Sequence, residues 1–107
     1  MTGGRRVRLC GAQELAVGEA RRFESDAGSI CLVRCDAGFR AVADTCSHED
    51  FSLSEGEVDP GACEIECWKH GSMFSLVTGE PVTLPATRPV AVFAVTVEGD
   101  DVLVTLP

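Results

Sequence analysis

The chain is poor in several residue types, and each shortage removes a class of function. Among 107 residues there are one lysine and eight arginines, two histidines and one tryptophan. Nine bases against seventeen acids leave a net charge of −8. Affinity for a phosphate backbone comes mainly from Lys and Arg, so nucleic acid is excluded as a partner. No apolar run approaches the ~20 residues of a membrane-crossing helix, which excludes a membrane protein. Residues 1–8 are polar and basic and lead into no apolar signal-peptide core, which predicts a cytoplasmic chain. No segment of helix length carries a sustained 3.6-residue apolar stripe. Repeats, linkers and low-complexity tracts are absent. At roughly 100–200 residues per domain, residues 1–107 form a single domain.

What is present reads as short strands between turns. Residues 6–10, 19–25, 29–35, 39–43, 64–67, 73–76, 90–98 and 102–106 have strand character, with 6–10 at a sheet edge. Asp26-Ala27-Gly28, Asp36-Ala37-Gly38 and Gly99-Asp100-Asp101 mark turns. Residues 44–60 dissolve into small, polar and acidic residues and predict one long loop. Pro85 and Pro89 remove ladder donors, so residues 84–89 are no central strand. The expected fold class is all-β, a small antiparallel sandwich or barrel with long loops inserted mid-chain.

Six cysteines, Cys10, Cys31, Cys35, Cys46, Cys63 and Cys67, raise the question of a disulfide framework. Cys31 and Cys35, in a β-type run, stand about 13 Å apart at ~3.3 Å per residue. That exceeds the ~7 Å Cα limit for a bridge, and Cys63 and Cys67 share the spacing. A reduced protein is expected, with Cys10, Cys31, Cys35 and Cys63 as small buried hydrophobes.

Both histidines fall beside cysteines. Cys46-Ser47-His48 and Cys67-Trp68-Lys69-His70 are separated by eighteen residues between His48 and Cys67. Two thiolates and two imidazoles on two loops form a four-ligand metal site. A structural Cys₂His₂ zinc site uses the same ligands, but its usual signatures pair Cys with Cys and His with His. One Cys and one His per loop suit a centre with two metal atoms, one iron taking both thiolates and the other both imidazoles, as in a Rieske [2Fe–2S] cluster. Two ferric ions, two sulfides and two thiolates sum to a neutral core, whereas four thiolates give −2. The neutral core accepts an electron more easily, so His₂ ligation raises the potential, to about −150 to +300 mV.

With these motifs, and with Leu53-Ser54-Glu55-Gly56, Gly71-Ser72-Met73-Phe74, Thr78-Gly79 and Leu84-Pro85-Ala86, the chain resembles the Rieske-type ferredoxins of bacterial multicomponent oxygenase systems. The resemblance runs from about Val7 to Leu106. It implies an antiparallel β-sandwich base with a small inserted cluster-binding subdomain. The cluster loops would occupy about 44–76, and a proline loop at 84–89 would cover the cluster. By the same likeness Cys46 and Cys67 hold the inner iron, and His48 and His70 the outer one. It also implies electron transfer from a flavin-dependent reductase to an oxygenase or other metalloenzyme, docking near His48 and His70, by a monomer with no substrate chemistry of its own.

The chain departs from its relatives in places. Trp68 stands where many have Pro, and either shields the cluster or packs. The extra cysteines of respiratory Rieske proteins correspond to Phe51 and Lys69, so their bridge is absent. Ser72 keeps a hydroxyl that hydrogen-bonds the cluster region in those proteins, whereas Phe74 replaces their Tyr. Fewer donors to sulfur predict a low potential. Gly71 and Gly79 serve backbone geometry.

Charge points the same way. Residues 1–22 hold five Arg against two Glu, a local +3, which leaves −11 on residues 23–107. Eight acids and no base lie between 44 and 66: Asp44, Glu49, Asp50, Glu55, Glu57, Asp59, Glu64 and Glu66. They oppose reduction and offer a steering surface to a basic partner. The rival functions are a Rieske-fold accessory subunit of a nitrite reductase or iron–sulfur assembly system, and a zinc-stabilised interaction module.

Overall fold

The run over residues 29–35 is apolar at consecutive rather than alternate positions, and its place in the fold explains this. A computed structural model describes residues 5–26, 28–44, 52–68, 71–82 and 88–106. Among the described residues nine strands run in chain order: β1 (Arg5–Gly11), β2 (Ala20–Ser25), β3 (Gly28–Cys35), β4 (Gly38–Ala43), β5 (Val58–Asp59), β6 (Glu64–Glu66), β7 (Met73–Ser75), β8 (Val92–Glu98) and β9 (Asp101–Leu106). Six of them form an antiparallel sheet in the order β1-β9-β8-β4-β3-β2, and β5-β6-β7 form a second, smaller antiparallel sheet. Strand β8 joins the two halves of the large sheet. It pairs with β4 through Val92 and Phe93, and with β9 from Ala94 onward.

Strand β3 is buried on both faces, as consecutive apolar residues require. Ile30 and Leu32 point into the base core with Cys10, Leu15, Ala41, Val102, Val104 and Leu106. Cys31, Val33 and Cys35 point the other way, to Val42, Leu53, Ile65, Cys67, Phe74, Leu76 and Val90. One strand is thus the wall between the base and the inserted small sheet. Alternation reappears in β9, where Val102, Val104 and Leu106 are buried between more exposed neighbours.

The expected all-β class is what the structure has, and β1 is an edge strand. Three expectations are corrected. The segment after residue 51 is not plain loop: Leu53–Glu55 forms a 3₁₀ turn, and Val58–Asp59 pairs with Ile65 and Glu64. A two-residue strand with one apolar side chain leaves no alternation to detect. Strand β8 starts at Val92 rather than residue 90. Pro89 and the bond from the Val90 N–H to the Gly79 carbonyl (2.8 Å) hold residue 90 outside the ladder, with its side chain in the core.

The third correction concerns thiols. Cys35 and Cys63 are joined by a disulfide across a separation of 28 residues, with Cα atoms 5.5 Å apart. Excluding the local pairs was sound, since neither Cys31 nor Cys67 is disulfide-bonded. The tertiary pair brings together the ends of β3 and of the turn before β6, which local spacing does not report. Cys10 and Cys31 are buried free thiols as expected. Burial holds the thiol pKa of both above the ordinary value, most strongly for Cys31.

Candidate metal centre

The first Cys/His loop leaves the base sheet at the end of β4 and is closed at its foot by Asp44. This aspartate is 1% exposed. Its carboxylate accepts hydrogen bonds from the Ser52 hydroxyl and, at 2.9 Å, from the Ser54 N–H. Its main chain completes the closure: the Asp44 carbonyl accepts from the Leu53 N–H, and its N–H donates to Ser29 at 3.0 Å. Arg22 Nε stands 3.7 Å from the carboxylate. A buried carboxylate is costly unless its oxygens are bonded, so these donors are what permit it. Asp44 is therefore an internal clamp and no part of a steering surface, which corrects its inclusion among the exposed acids.

Beyond the clamp, Leu53 is fully buried and the 3₁₀ turn ends at Gly56. The Gly56 backbone lies directly on Glu66, and a Cβ there would overlap the Glu66 carbonyl. The Glu66 N–H donates to the Glu57 carbonyl at 2.8 Å. The exit of the first loop is thereby fastened to β6, the strand that delivers Cys67. Leu53 and Cys67 share one core.

Cys67 is fully buried at the foot of the second loop. That loop is closed by two bonds, from the Gly71 N–H to the Cys67 carbonyl (2.8 Å) and from the Cys67 N–H to the Ser72 carbonyl (2.7 Å). Gly71 adopts φ +75°, which glycine reaches without steric cost. Buried Ser72 and Phe74 follow, with Phe74 in the core beside Cys67. A third segment begins at Pro81, which bridges Phe74, and at Val82, whose N–H donates to the Met73 carbonyl at 2.6 Å. Gly79, at φ +77°, lies so close to the Val90 carbonyl that a Cβ would clash. Gly71 and Gly79 thus serve backbone geometry, as their sequence setting suggests.

Of the four expected ligands, Cys67 is described. Cys46, His48 and His70 lie outside the described residues, as do Glu49, Asp50, Phe51, Lys69 and residues 83–87. What the structure brings together is the feet of both loops, against one apolar core. A thiol rooted there, with the feet of the two segments fastened to each other through Gly56 and Glu66, fits a soft metal centre shielded from water on its protein side. Trp68 is 48% exposed, so it is no core-packing residue. Sequence reasoning overlooked the clamp of Asp44 with Ser52 and Ser54, and the contact role of Gly56. Ser54 and Gly56 stand in the Leu53–Gly56 motif segment, whereas Asp44 and Ser52 carry no signal of their own in the sequence.

The charges are distributed unevenly. Five arginines of the base are in ion pairs: Arg5 with Asp26 (2.7 Å), Arg6 with Glu98, Arg8 with Asp101 (2.7 Å), Arg21 with Glu14 (3.6 Å) and Arg22 with Glu24 (2.8 Å), whereas Arg34 donates to the Ala12 and Leu15 carbonyls. At the small sheet Glu55, Glu57 and Asp59 are exposed. Among the described residues none of these three has an ion pair with a base.

A small all-β protein with a base sheet, an inserted three-stranded sheet and two Cys/His loops rooted on it defines a class of metal-binding electron-transfer modules. Residues 5–94 match the Rieske [2Fe-2S] domain, and the chain belongs to that family. The chain is 41% identical over 100 residues to the ferredoxin component of biphenyl 2,3-dioxygenase from Rhodococcus jostii strain RHA1, covering 94% of this chain and 92% of that protein. Its fold is similar to the ferredoxin of carbazole 1,9a-dioxygenase from Nocardioides aromaticivorans IC177, with a TM-score of 0.91, 31% identity and coverage of 95% and 98%. A second similar chain, from a complex of reduced oxygenase and oxidised ferredoxin in carbazole 1,9a-dioxygenase, gives a TM-score of 0.85 and 37% identity over 92% of this chain and 99% of that one. Likeness to a nitrite reductase small subunit from Mycobacterium tuberculosis, at 20% identity and a TM-score of 0.86, extends to the fold alone.

Proposed function

We propose that this chain is the one-electron carrier of a multicomponent oxygenase system. It accepts electrons from a flavin-dependent reductase and passes them to a terminal oxygenase or a similar metalloenzyme. Residues 1–107 act as one cytoplasmic, monomeric unit without substrate chemistry of its own. Cys46 and Cys67 hold the inner iron of a Rieske [2Fe–2S] cluster, and His48 and His70 the outer one. The loops within about 44–76 carry the cluster, the proline loop at 84–89 covers it, and partners dock near His48 and His70. The observation that carries this is the common root of the two loops: Gly56 on Glu66, next to buried Cys67.

When bound, such a cluster supplies reversible uptake of one electron, eased by its neutral imidazole ligands. The rest is the work of this chain. Asp44 fixes the foot of the first loop, and the Cys67–Ser72 and Cys67–Gly71 bonds fix the second. Leu53, Ile65, Phe74 and Val90 exclude water behind Cys67. Buried Phe74 brings no hydroxyl to the site, and Glu55, Glu57 and Asp59 add negative field. Both effects favour the oxidised state and a low potential.

The test is direct transfer. The cluster-loaded protein, reduced with one electron per chain, is mixed with an oxidised Rieske-type terminal oxygenase, and the visible bands of both are followed. Reoxidation of the carrier with matching reduction of the oxygenase is expected. A carrier that is reduced but passes its electron to no such oxygenase, nor accepts one from a flavin-dependent reductase, contradicts the proposal.

A further inference from the structure

Two of the cysteines without a place in the metal centre meet at one point. Cys35 ends β3 at the turn into β4, and Cys63 ends the turn that leads into β6. We propose that Cys35 and Cys63 form a second redox centre, a reversible two-electron dithiol/disulfide couple that staples the small sheet to the base.

Three observations support it. Cys63 is the only non-glycine among the described residues at positive φ (57°), a left-handed conformation that neighbouring contacts must hold. Those contacts are independent of sulfur. The Cys63 carbonyl accepts from the Leu76 N–H at 2.8 Å, and the Asp36 N–H, one residue past Cys35, donates to the Pro60 carbonyl at 3.1 Å. Backbone bonds thus keep both cysteines in bonding position, with Cα atoms 5.5 Å apart, whether or not the sulfurs are joined. Access is asymmetric. Cys35 is 1% exposed, whereas Cys63 is 8% exposed and follows the exposed residues Gly61 and Ala62. Cys63, the less buried of the two, is therefore the expected point of attack for an incoming thiolate once the local structure opens.

The chemistry balances with a low-molecular-weight disulfide as oxidant. Two Sγ–H bonds break and the Cys35–Cys63 Sγ–Sγ bond forms. The oxidant's S–S bond is cleaved, and it leaves as two thiols carrying both protons and both electrons. A small dithiol reverses the reaction. The consequence for the metal centre is mechanical: β6 (Glu64–Glu66) is the three-residue strand between Cys63 and Cys67, so the staple restrains the strand that roots the second loop.

The test uses the full, cluster-loaded chain equilibrated in mixtures of reduced and oxidised glutathione, then acid-quenched, alkylated and mapped by mass spectrometry. A Cys35–Cys63 cross-link whose fraction follows the glutathione ratio is expected. In parallel, bleaching of the visible bands by a chelator is timed with and without dithiothreitol. The oxidised protein should bleach more slowly by about threefold or more, and the Cys63→Ala variant should be indifferent to dithiothreitol. Overturning results are free Cys35 and Cys63 under oxidising conditions, cross-links to other cysteines instead, or bleaching rates insensitive to dithiothreitol in the native chain. The cross-link is read on the polypeptide, so failure of the metal assignment leaves this outcome independently measurable.

Discussion

At the scale of single residues the fold turns on a few side chains whose environments oppose their surface chemistry. Asp44 is charged by type yet buried, and Ser52 and Ser54 make that tolerable. Asp44→Ala leaves those donors unpaired and opens the foot of the first loop. Charged hydrogen bonds of this kind are worth about 1.5–3 kcal/mol each, so a loss of several kcal/mol in urea unfolding is expected. Asp44→Asn should recover most of it, because an amide can accept from the Ser54 N–H and donate to Ser52. Equal loss in both variants would contradict the clamp. Cys31 behaves differently. Burial among Val33, Val42 and Leu53, with Asp44 adding repulsion, pushes its thiol pKa well above the ordinary value near 9. Since the folded-state pKa is raised, its contribution to stability is complete below about pH 9. Above that pH it declines, as the unfolded chain gives up the proton first. Cys31→Ala should flatten the alkaline part of the stability profile, which urea midpoints between pH 7 and 10 would record.

At the scale of elements, strand existence was legible and tertiary contact was not. The turns at Asp36 and Gly99 and the apolar alternation of β9 are local signals, so the strands they bound are found where the sequence puts them. The consecutive apolar residues of β3 announce burial on both faces, but not which two layers they divide. Strand β5 and the Cys35–Cys63 pair escape detection because each depends on a partner elsewhere in the chain. The Cys/His motifs stand out in the sequence, since metal coordination needs particular residue types at short spacing, and of their four proposed ligands Cys67 lies among the described residues. The glycine that brings the two loops together was not, because its role is to leave room. Gly56→Ala places a methyl group against the Glu66 carbonyl. Overpacking of this kind costs about 1–3 kcal/mol, and the displacement falls on the residue before Cys67. Lower stability together with reduced iron content after purification is expected. A variant that keeps its urea midpoint and full iron content would show that the contact positions nothing.

At the scale of the whole molecule the charge is polarised. Ion pairs neutralise five arginines of the base, whereas the exposed acids of the small sheet are unpaired with bases among the described residues. Exposed pairs of that type contribute little to stability, about 0–1 kcal/mol each, so their main effect is to leave a one-sided field. Encounter with a basic reductase should slow as ionic strength rises and the screening length shrinks from ~30 Å at 0.01 M to ~10 Å at 0.1 M. Replacing Glu55 and Glu57 by Gln and Asp59 by Asn should flatten that dependence while leaving the urea midpoint nearly unchanged. Stopped-flow reduction rates across a salt series would show it, and an unchanged slope would move the docking surface away from the small sheet.

All three scales bear on the proposal that the two Cys/His segments, rooted on one core, hold one cluster. Metal and acid-labile sulfide analysis of the purified protein, paired with low-temperature electron paramagnetic resonance after dithionite reduction, tests that claim most directly. Two irons and two sulfides per chain, a coloured protein and a Rieske-type signal on reduction are expected. A colourless protein holding one zinc and no sulfide would contradict it.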